Sequence, residues 1–98
     1  SWNMAVIAAV HCGISAADAL TVKHLGLRNS GSRHEGVIKL LSKLNLPEVG
    51  KKNQQLSNLL RIKSTAEYEE RLMSKSDASD ALRDAERFYK WVKEVLEE

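Results

Sequence analysis

The sequence predicts an all-α protein, an antiparallel four-helix up-and-down bundle, on three observations. Its 98 residues suffice for one domain, residues 1–98, with a single core. Leu and Ala, with 13 and 10 copies, outnumber Val and Ile, with 7 and 4, so helix formers predominate over strand formers. Five Gly and one Pro leave few turn residues for many short strands. Four helical segments joined by short connections then favour a bundle.

The first helix is predicted from Trp2 to about His24. Apolar residues cover most of its circumference, which is typical of a centrally buried helix. A polar stripe crosses it, because His11, Ser15 and Asp18 share one face at i, i+4, i+7 spacing. We expect these three side chains to face inward or line a cleft as a hydrogen-bonded network, since burying each one unpaired costs about 1–3 kcal/mol.

The second and third helices follow a loop at residues 25–31. A capping box at residues 32–35, Ser-Arg-His-Glu, predicts the start of the second helix, which residues 45–47 end. Pro47 suits the first turn of the third helix, which the apolar spacing continues to about Lys63. The next residues, 64–75, lose clean periodicity and are predicted to form a connection.

The fourth helix has the clearest pattern. Ser76 is the predicted N-cap, with Asp77 and Asp80 placed near the positive end of the helix dipole. One continuous apolar stripe follows at helical spacing: Ala78, Ala81, Leu82, Ala85, Phe88, Val92, Val95 and Leu96.

Charge is unevenly distributed along the chain. Residues 23–63 carry nine bases and two acids, whereas residues 64–98 carry six bases and ten acids. A basic block of this size attracts anions such as RNA. A solvated basic surface is the alternative, because no aromatic residue interleaves with the lysines for base stacking.

The absence of known sequence motifs argues against several classes of function. The sequence contains no Walker loop, GxGxxG, GxSxG or HExxH motif, and its three His are not spaced as metal ligands. We therefore predict no metal and no cofactor. The single Cys12 excludes an internal disulfide and fits a reducing, cytoplasmic compartment. No uninterrupted apolar run approaches the roughly 18 residues of a membrane span, so no membrane partner is predicted.

The most informative stretch, RIKSTAEY at residues 61–68, runs from the end of the third helix into the connection to the fourth and contains Arg61 and Tyr68. This stretch, the order of the helices, the sequence of residues 11–19 and the Ala-rich segment 77–86 are the features that carry a resemblance. Together they resemble the HEPN domain (higher eukaryotes and prokaryotes nucleotide-binding), and a prokaryotic member in particular. The resemblance covers nearly the whole chain.

The resemblance implies a specific chemistry. Catalytic HEPN proteins are metal-independent ribonucleases in which homodimerisation brings an Arg-x4–6-His motif, often extended to Arg-x4-His-x-Tyr, to a cleft. Arg61 and Tyr68 match this motif, but Ala66 stands at the His position and has no group to transfer a proton. An Arg-x5-His also runs from Arg28 to His34, although about 0.5 such matches are expected by chance.

Three functional hypotheses follow. The first is a non-catalytic HEPN module that binds RNA, a nucleotide or a protein through a dimer cleft. Its expected binding residues are Arg61, Tyr68, Asp18 and Lys63. The second is an active endoribonuclease toxin that uses His34 or Tyr68, and the third is an unrelated four-helix interaction domain. In a purely structural role, Arg61 would instead close the C-terminal carbonyls of the third helix and Tyr68 would pack on the bundle.

Partners are predicted from two sources. The first helix has more apolar faces than a bundle of this size covers, which favours a homodimer, with Trp2, Tyr89 and Trp91 as candidate anchors. The resemblance implies the same dimer. It also implies a toxin–antitoxin or defence system and a nucleotidyltransferase-type partner protein.

Overall fold

The computed structural model describes residues 2–30, 35–68 and 72–98, and in these three ranges α-helix is the only regular secondary structure. The helices are α1 (Trp2–Leu25), α2 (Glu35–Ser42), α3 (Val49–Tyr68) and α4 (Lys75–Leu96). The predicted all-α class and the four helices are therefore confirmed.

Contacts at the two ends of the bundle fix the helix directions. At one end, the Asn3 side chain donates from Nδ2 to the Ala66 carbonyl (3.2 Å) and accepts the Met73 N–H at Oδ1 (2.9 Å). At the other end, Lys23 Nζ donates to the Leu96 carbonyl (2.8 Å). The start of α1 thus lies beside the end of α3 and the start of α4, and the ends of α1 and α4 lie together.

Consequently, α1 and α4 run in the same direction and α3 runs opposite to both, which differs from the simple up-and-down order that we predicted. The reason is the length of α2. Its eight residues span only about 12 Å, whereas the molecule is 38 Å long. The helix packs on α1 and α3, and Asn53 Nδ2 donates to the Ile38 carbonyl (3.2 Å). Since α2 does not traverse the bundle, α3 starts at the end where α1 finishes.

The core is built around α1, which contacts the other three helices. Val6, Val10, Ala17 and Leu20 of this helix are fully buried. Because Gly13 has no side chain, Leu56 and Leu59 of α3 pack directly against α1 at this position. A Cβ on residue 13 would lie only 3.2 Å from Leu59 Cδ1 and 3.3 Å from Leu56 Cδ1. The glycine thereby sets how closely α1 approaches α3 and in which register.

Two helix boundaries differ from prediction. The third helix continues to Tyr68 instead of ending near Lys63, so residues 61–68 are helical. The fourth helix is capped by Ser74 rather than Ser76. Ser74 Oγ accepts the Asp77 N–H (3.0 Å), and Asp77 Oδ2 accepts the Ser74 N–H (2.9 Å), which completes a capping box.

The capping box predicted for α2 lies mostly outside the described residues, which resume at Glu35, the first residue of that helix.

By length and composition alone, α1 is also apolar enough to cross a membrane, with a mean hydropathy of 1.7 over 18 residues. In the fold, 44% of that window is buried by the other helices. One side of α1 therefore supplies core residues, and the other side is left apolar and exposed.

Candidate functional site

One side of α3 forms a continuous polar surface, here named the α3 outer face. At three- and four-residue spacing it carries Lys51, Gln54, Asn58, Arg61, Thr65 and Tyr68. All are exposed except Thr65, which is half-buried, and they lie opposite the buried positions of the same helix. Gln54 Nε2 donates to Asn58 Oδ1 (3.2 Å). No Asp or Glu occurs between residues 51 and 66, so the face presents positive charge and neutral hydrogen-bonding groups only.

Arg61 and Tyr68 lie on this face seven residues apart, a rise of about 10 Å along the helix. Tyr68 is 79% exposed, so it does not pack on the bundle. Arg61 is exposed, and among the described residues it has neither an ion pair nor a hydrogen bond to a helix carbonyl. Neither structural role is observed. The Arg61 guanidinium and the exposed ring of Tyr68 are accessible to a ligand, while the Tyr68 hydroxyl interacts with the Glu67 carboxylate.

Ala66 does not belong to the α3 outer face. It is buried, and five residues of helix turn it about 140° away from Arg61. A side chain at position 66 therefore points into the interior, beside the Asn3 amide that binds its carbonyl. The position that matches the His of the resembled motif is thus a core position in this chain.

Lys63 is likewise directed inward, where it is one of two buried polar side chains in the described core. Its Nζ lies 2.8 Å from Glu67 Oε1. The pKa of Glu67 is lowered, chiefly because Lys63 donates a hydrogen bond to the carboxylate; Tyr68 and His11 act in the same direction and partial burial opposes them. The structure therefore does not bring Lys63 to the α3 outer face, although we expected it to bind ligand there.

Asp18 also lies away from Arg61 and Tyr68. Gly13 packs against Leu56 and Leu59, and α1 runs opposite to α3, so Asp18 lies farther toward the beginning of α3. The side chain is half-buried. The carboxylate nearest to Tyr68 along α3 is Glu67, which sequence reasoning did not single out.

Two members of the expected polar network, His11 and Ser15, do not face the core. His11 and Ser15 are both exposed, because the core uses the opposite side of α1. Ser15 does line a groove between α1 and α4, as one alternative of that prediction allowed, whereas His11 does not.

That groove has a volume of about 440 Å³ and was not predicted. Its walls are Cys12, Ser15, Ala16 and Ala19 of α1 and Tyr89, Val92, Lys93, Leu96 and Glu97 of α4. In the sequence, the regular spacing of small side chains along α1 is the feature from which this groove could have been predicted.

The three aromatic side chains expected to anchor a dimer are separated by the fold. Trp91 is buried, with its ring centroid 5.8 Å from that of Phe88. Trp2 and Tyr89 are about half exposed, but Trp2 lies near the starts of α1 and α4, and Tyr89 belongs to the last two turns of α4. Trp91 is therefore excluded as an anchor in this structure.

In the described ranges, no three His, Cys, Asp or Glu side chains are grouped so as to hold a metal ion. His34, the alternative catalytic residue, lies outside the described residues. A family model described as the HEPN domain matches residues 6–95. The comparisons with curated proteins and with solved structures find no match.

Proposed function

This chain belongs to the HEPN domain family, and on that premise we propose that it is a non-catalytic module that binds single-stranded RNA through the α3 outer face. The family match covers nearly all of the chain, so an unrelated four-helix interaction domain is no longer a competing interpretation.

The observation that carries the proposal is an exposed helix face that has no carboxylate between residues 51 and 66; Glu67, which interacts with Tyr68, lies beside its end. Lys51 and Arg61 supply positive charge for phosphate oxygens, and the amides and hydroxyl of Gln54, Asn58 and Thr65 supply donors and acceptors for phosphate and sugar. The face is about 26 Å long, which suffices to follow several consecutive phosphates.

Tyr68 favours a single strand over a duplex. Its ring is 79% exposed at the end of the face, and an exposed aromatic ring is a platform on which an unpaired base stacks. Bases in double-stranded RNA are already stacked on each other and do not reach such a ring.

The absence of catalysis is proposed from the groups on this face. It carries no His, Asp or Glu, the residue types that most often serve as general bases. Ala66 is buried and holds no titratable group. Binding without cleavage is the activity that this set of side chains supports.

The test is binding of a fluorescent single-stranded RNA of about 20 nucleotides, followed by anisotropy over a range of salt concentrations. Arg61→Ala is expected to weaken binding at low salt and to reduce the slope of log K against log salt by about 1. Arg83→Ala is the matched control, since Arg83 is an exposed α4 guanidinium that lies 3.3 Å from Asp80.

Unchanged RNA binding by correctly folded Arg61→Ala would contradict the proposed surface. The same RNA, incubated with the wild-type chain in EDTA and examined on a denaturing gel, should remain intact. Cleavage would instead support the metal-independent endoribonuclease.

We further propose a cytoplasmic role in a toxin–antitoxin or defence system with a nucleotidyltransferase-type partner. This part rests on the family and on the free thiol of Cys12. Co-expression with the product of the adjacent gene, followed by co-purification through a tag on this chain, is the direct measurement.

A further inference from the structure

At the end of the α3 outer face, an acidic side chain lies next to the aromatic one. Glu67 precedes Tyr68 in the last turn of α3, and its carboxylate interacts with the Tyr68 hydroxyl. We propose that the Glu67 carboxylate, held by Lys63, recognises the edge of a guanine base that stacks on the Tyr68 ring. The proposal rests on the RNA binding proposed above and names the base that this surface prefers.

The position of the carboxylate is fixed by an ion pair. Glu67 Oε1 lies 2.8 Å from Lys63 Nζ, and the Lys63 side chain is only 10% exposed. A lysine packed into the core has lost most of its rotamer freedom, so its amine holds the carboxylate in one place. The Glu67 side chain keeps 23% of its own surface exposed and therefore remains accessible to a ligand.

Helix stability alone does not account for an acidic residue at this position. The last turn of a helix carries partial negative charge, which disfavours a carboxylate there. In addition, Glu67 follows Lys63 in the chain, and this is the less favourable order for an i, i+4 ion pair. Departures from such local rules are expected at functional sites.

The Glu67 carboxylate can only accept hydrogen bonds. Its pKa is lowered, chiefly by the hydrogen bond from Lys63, so the group is ionised at neutral pH. An ionised carboxylate offers about four lone-pair positions on its two oxygens. Lys63 and the Tyr68 hydroxyl occupy two of them, which leaves room for two further donors from a ligand.

Guanine is the base whose edge matches such an acceptor. Its Watson–Crick edge carries two adjacent donors, N1–H and the N2 amino group, and a carboxylate accepts both in parallel. Adenine and cytosine each place an acceptor nitrogen beside their amino group, and uracil places its N–H between two carbonyl oxygens. Those acceptors would face the carboxylate and repel it. Unpaired bases in single-stranded RNA leave these edges free for recognition.

The aromatic ring and the carboxylate lie within reach of one base. Tyr68 is 79% exposed, and the carboxylate lies at the phenol end of its ring, because it interacts with the hydroxyl there. A base stacked on the ring that projects past this end brings its outer edge beside the carboxylate. The cations Arg61 and Lys51 lie farther back along α3, so the phosphates of the same strand are drawn away from Glu67.

The first test compares short RNAs that differ in one base. Unlabelled uridine hexamers that carry guanosine, inosine, 1-methylguanosine or 7-deazaguanosine at the 5′ or the 3′ end compete with the fluorescent RNA for the wild-type chain. Guanosine and 7-deazaguanosine keep both donors, and each should compete about tenfold better than a hexamer of uridine alone. Inosine lacks the N2 amino group and 1-methylguanosine lacks N1–H, so both should lose most of this advantage.

Variants of the chain identify the group that recognises the base. Glu67→Gln replaces one acceptor oxygen with a donor and should abolish the preference for guanosine over inosine. Glu86→Gln removes the same charge from an exposed position of α4 and is the matched control, which should keep the preference. Tyr68→Phe should keep it as well, since the ring remains. If circular dichroism shows that Glu67→Gln is unfolded, the base analogues on the wild-type chain decide the question.

Two results would overturn the inference. They are equal competition by the guanosine and inosine hexamers for the wild-type chain, and a full guanosine preference in folded Glu67→Gln. Either result, obtained while binding of the fluorescent RNA still depends on Arg61, would refute guanine recognition alone. A wild-type chain that binds none of the RNAs would refute the proposed function, and guanine recognition with it.

Discussion

Arg61 and Ala66 lie five residues apart on α3, and the guanidinium is exposed while the methyl group is buried in the core. An imidazole introduced at position 66 would therefore enter the interior and not the surface that carries Arg61. Packing thus favours a small side chain at the position that matches the His of the resembled motif, and we expect that placing His there does not create a site.

We predict that Ala66→His destabilises the protein and yields no ribonuclease activity. Forcing a larger side chain into a packed core costs about 1–3 kcal/mol. Urea denaturation and RNA integrity in EDTA measure the two effects. Ser64→His, at an exposed position of the same helix, should change the unfolding free energy by less than about 0.5 kcal/mol. Cleavage by Ala66→His would show that position 66 reaches the substrate.

For Tyr68, we predict that Tyr68→Ala weakens binding of a short single-stranded RNA by about tenfold, whereas Tyr68→Phe retains most of it. Stacking of one base on an aromatic ring contributes about 1–3 kcal/mol and requires the ring, not the hydroxyl. Tyr89→Ala, which removes a half-exposed tyrosine from α4, is the control. Equal losses for Ala and Phe at position 68 would point to a hydrogen bond from the hydroxyl instead.

A pH dependence follows from the ion pair of Lys63 with Glu67. The pKa of Glu67 is lowered in the folded protein, so its stabilising effect is present above the pKa of an unfolded Glu and is lost as the pH falls through the lower folded value. Glu67→Gln should cost about 1–3 kcal/mol at pH 7, since the buried Lys63 amine loses its charged partner.

At about pH 3 the stability difference between wild type and Glu67→Gln should be smaller. Urea midpoints at the two pH values test it. A difference of the same size at both would mean that the carboxylate contributes through packing and not through charge.

The N-cap of α4 gives a stability prediction with an internal control. Ser74→Ala removes the hydroxyl that accepts the Asp77 N–H and should cost about 1 kcal/mol, a decrease in melting temperature of about 4–8 °C for a domain of this size. Ser76→Ala removes only an exposed hydroxyl inside the first turn. If Ser76→Ala lowered the melting temperature more than Ser74→Ala, Ser76 and not Ser74 would be the N-cap.

The hydrophobic periodicity of the sequence was enough to predict the four helices but not all of their ends. Ser74 and Ser76 both precede Asp77, and only Ser74 has that Asp at the third helical position, which a capping box requires. The last turns of α3 lack an apolar repeat, yet Lys63 and Glu67 support them as an i, i+4 pair. Local pairs of polar residues decided both boundaries.

The relative positions of candidate-site residues could be predicted from the sequence when both lie on one helix, but not when they lie on different helices. The seven-residue spacing of Arg61 and Tyr68 places them on one face of any helix that contains both. The distance of Asp18 from them depends on how α1 slides along α3, which Gly13 sets through Leu56 and Leu59. The exposure of His11 and Ser15 could not be predicted from periodicity, because both sides of α1 are apolar and either could have faced the core.

The hydrogen bonds of Asn3 and Lys23 have a consequence for the order of events during synthesis. They join α1 to residues 63, 70 and 73 positions later in the chain. At about 5–20 residues per second, a ribosome needs several seconds to deliver α4 after α1 has been made. The helix that is translated first therefore waits longest for its neighbours, with its apolar side chains open to other nascent chains. Slowing translation between α1 and α4 should lower the yield of native protein more than slowing it within α4.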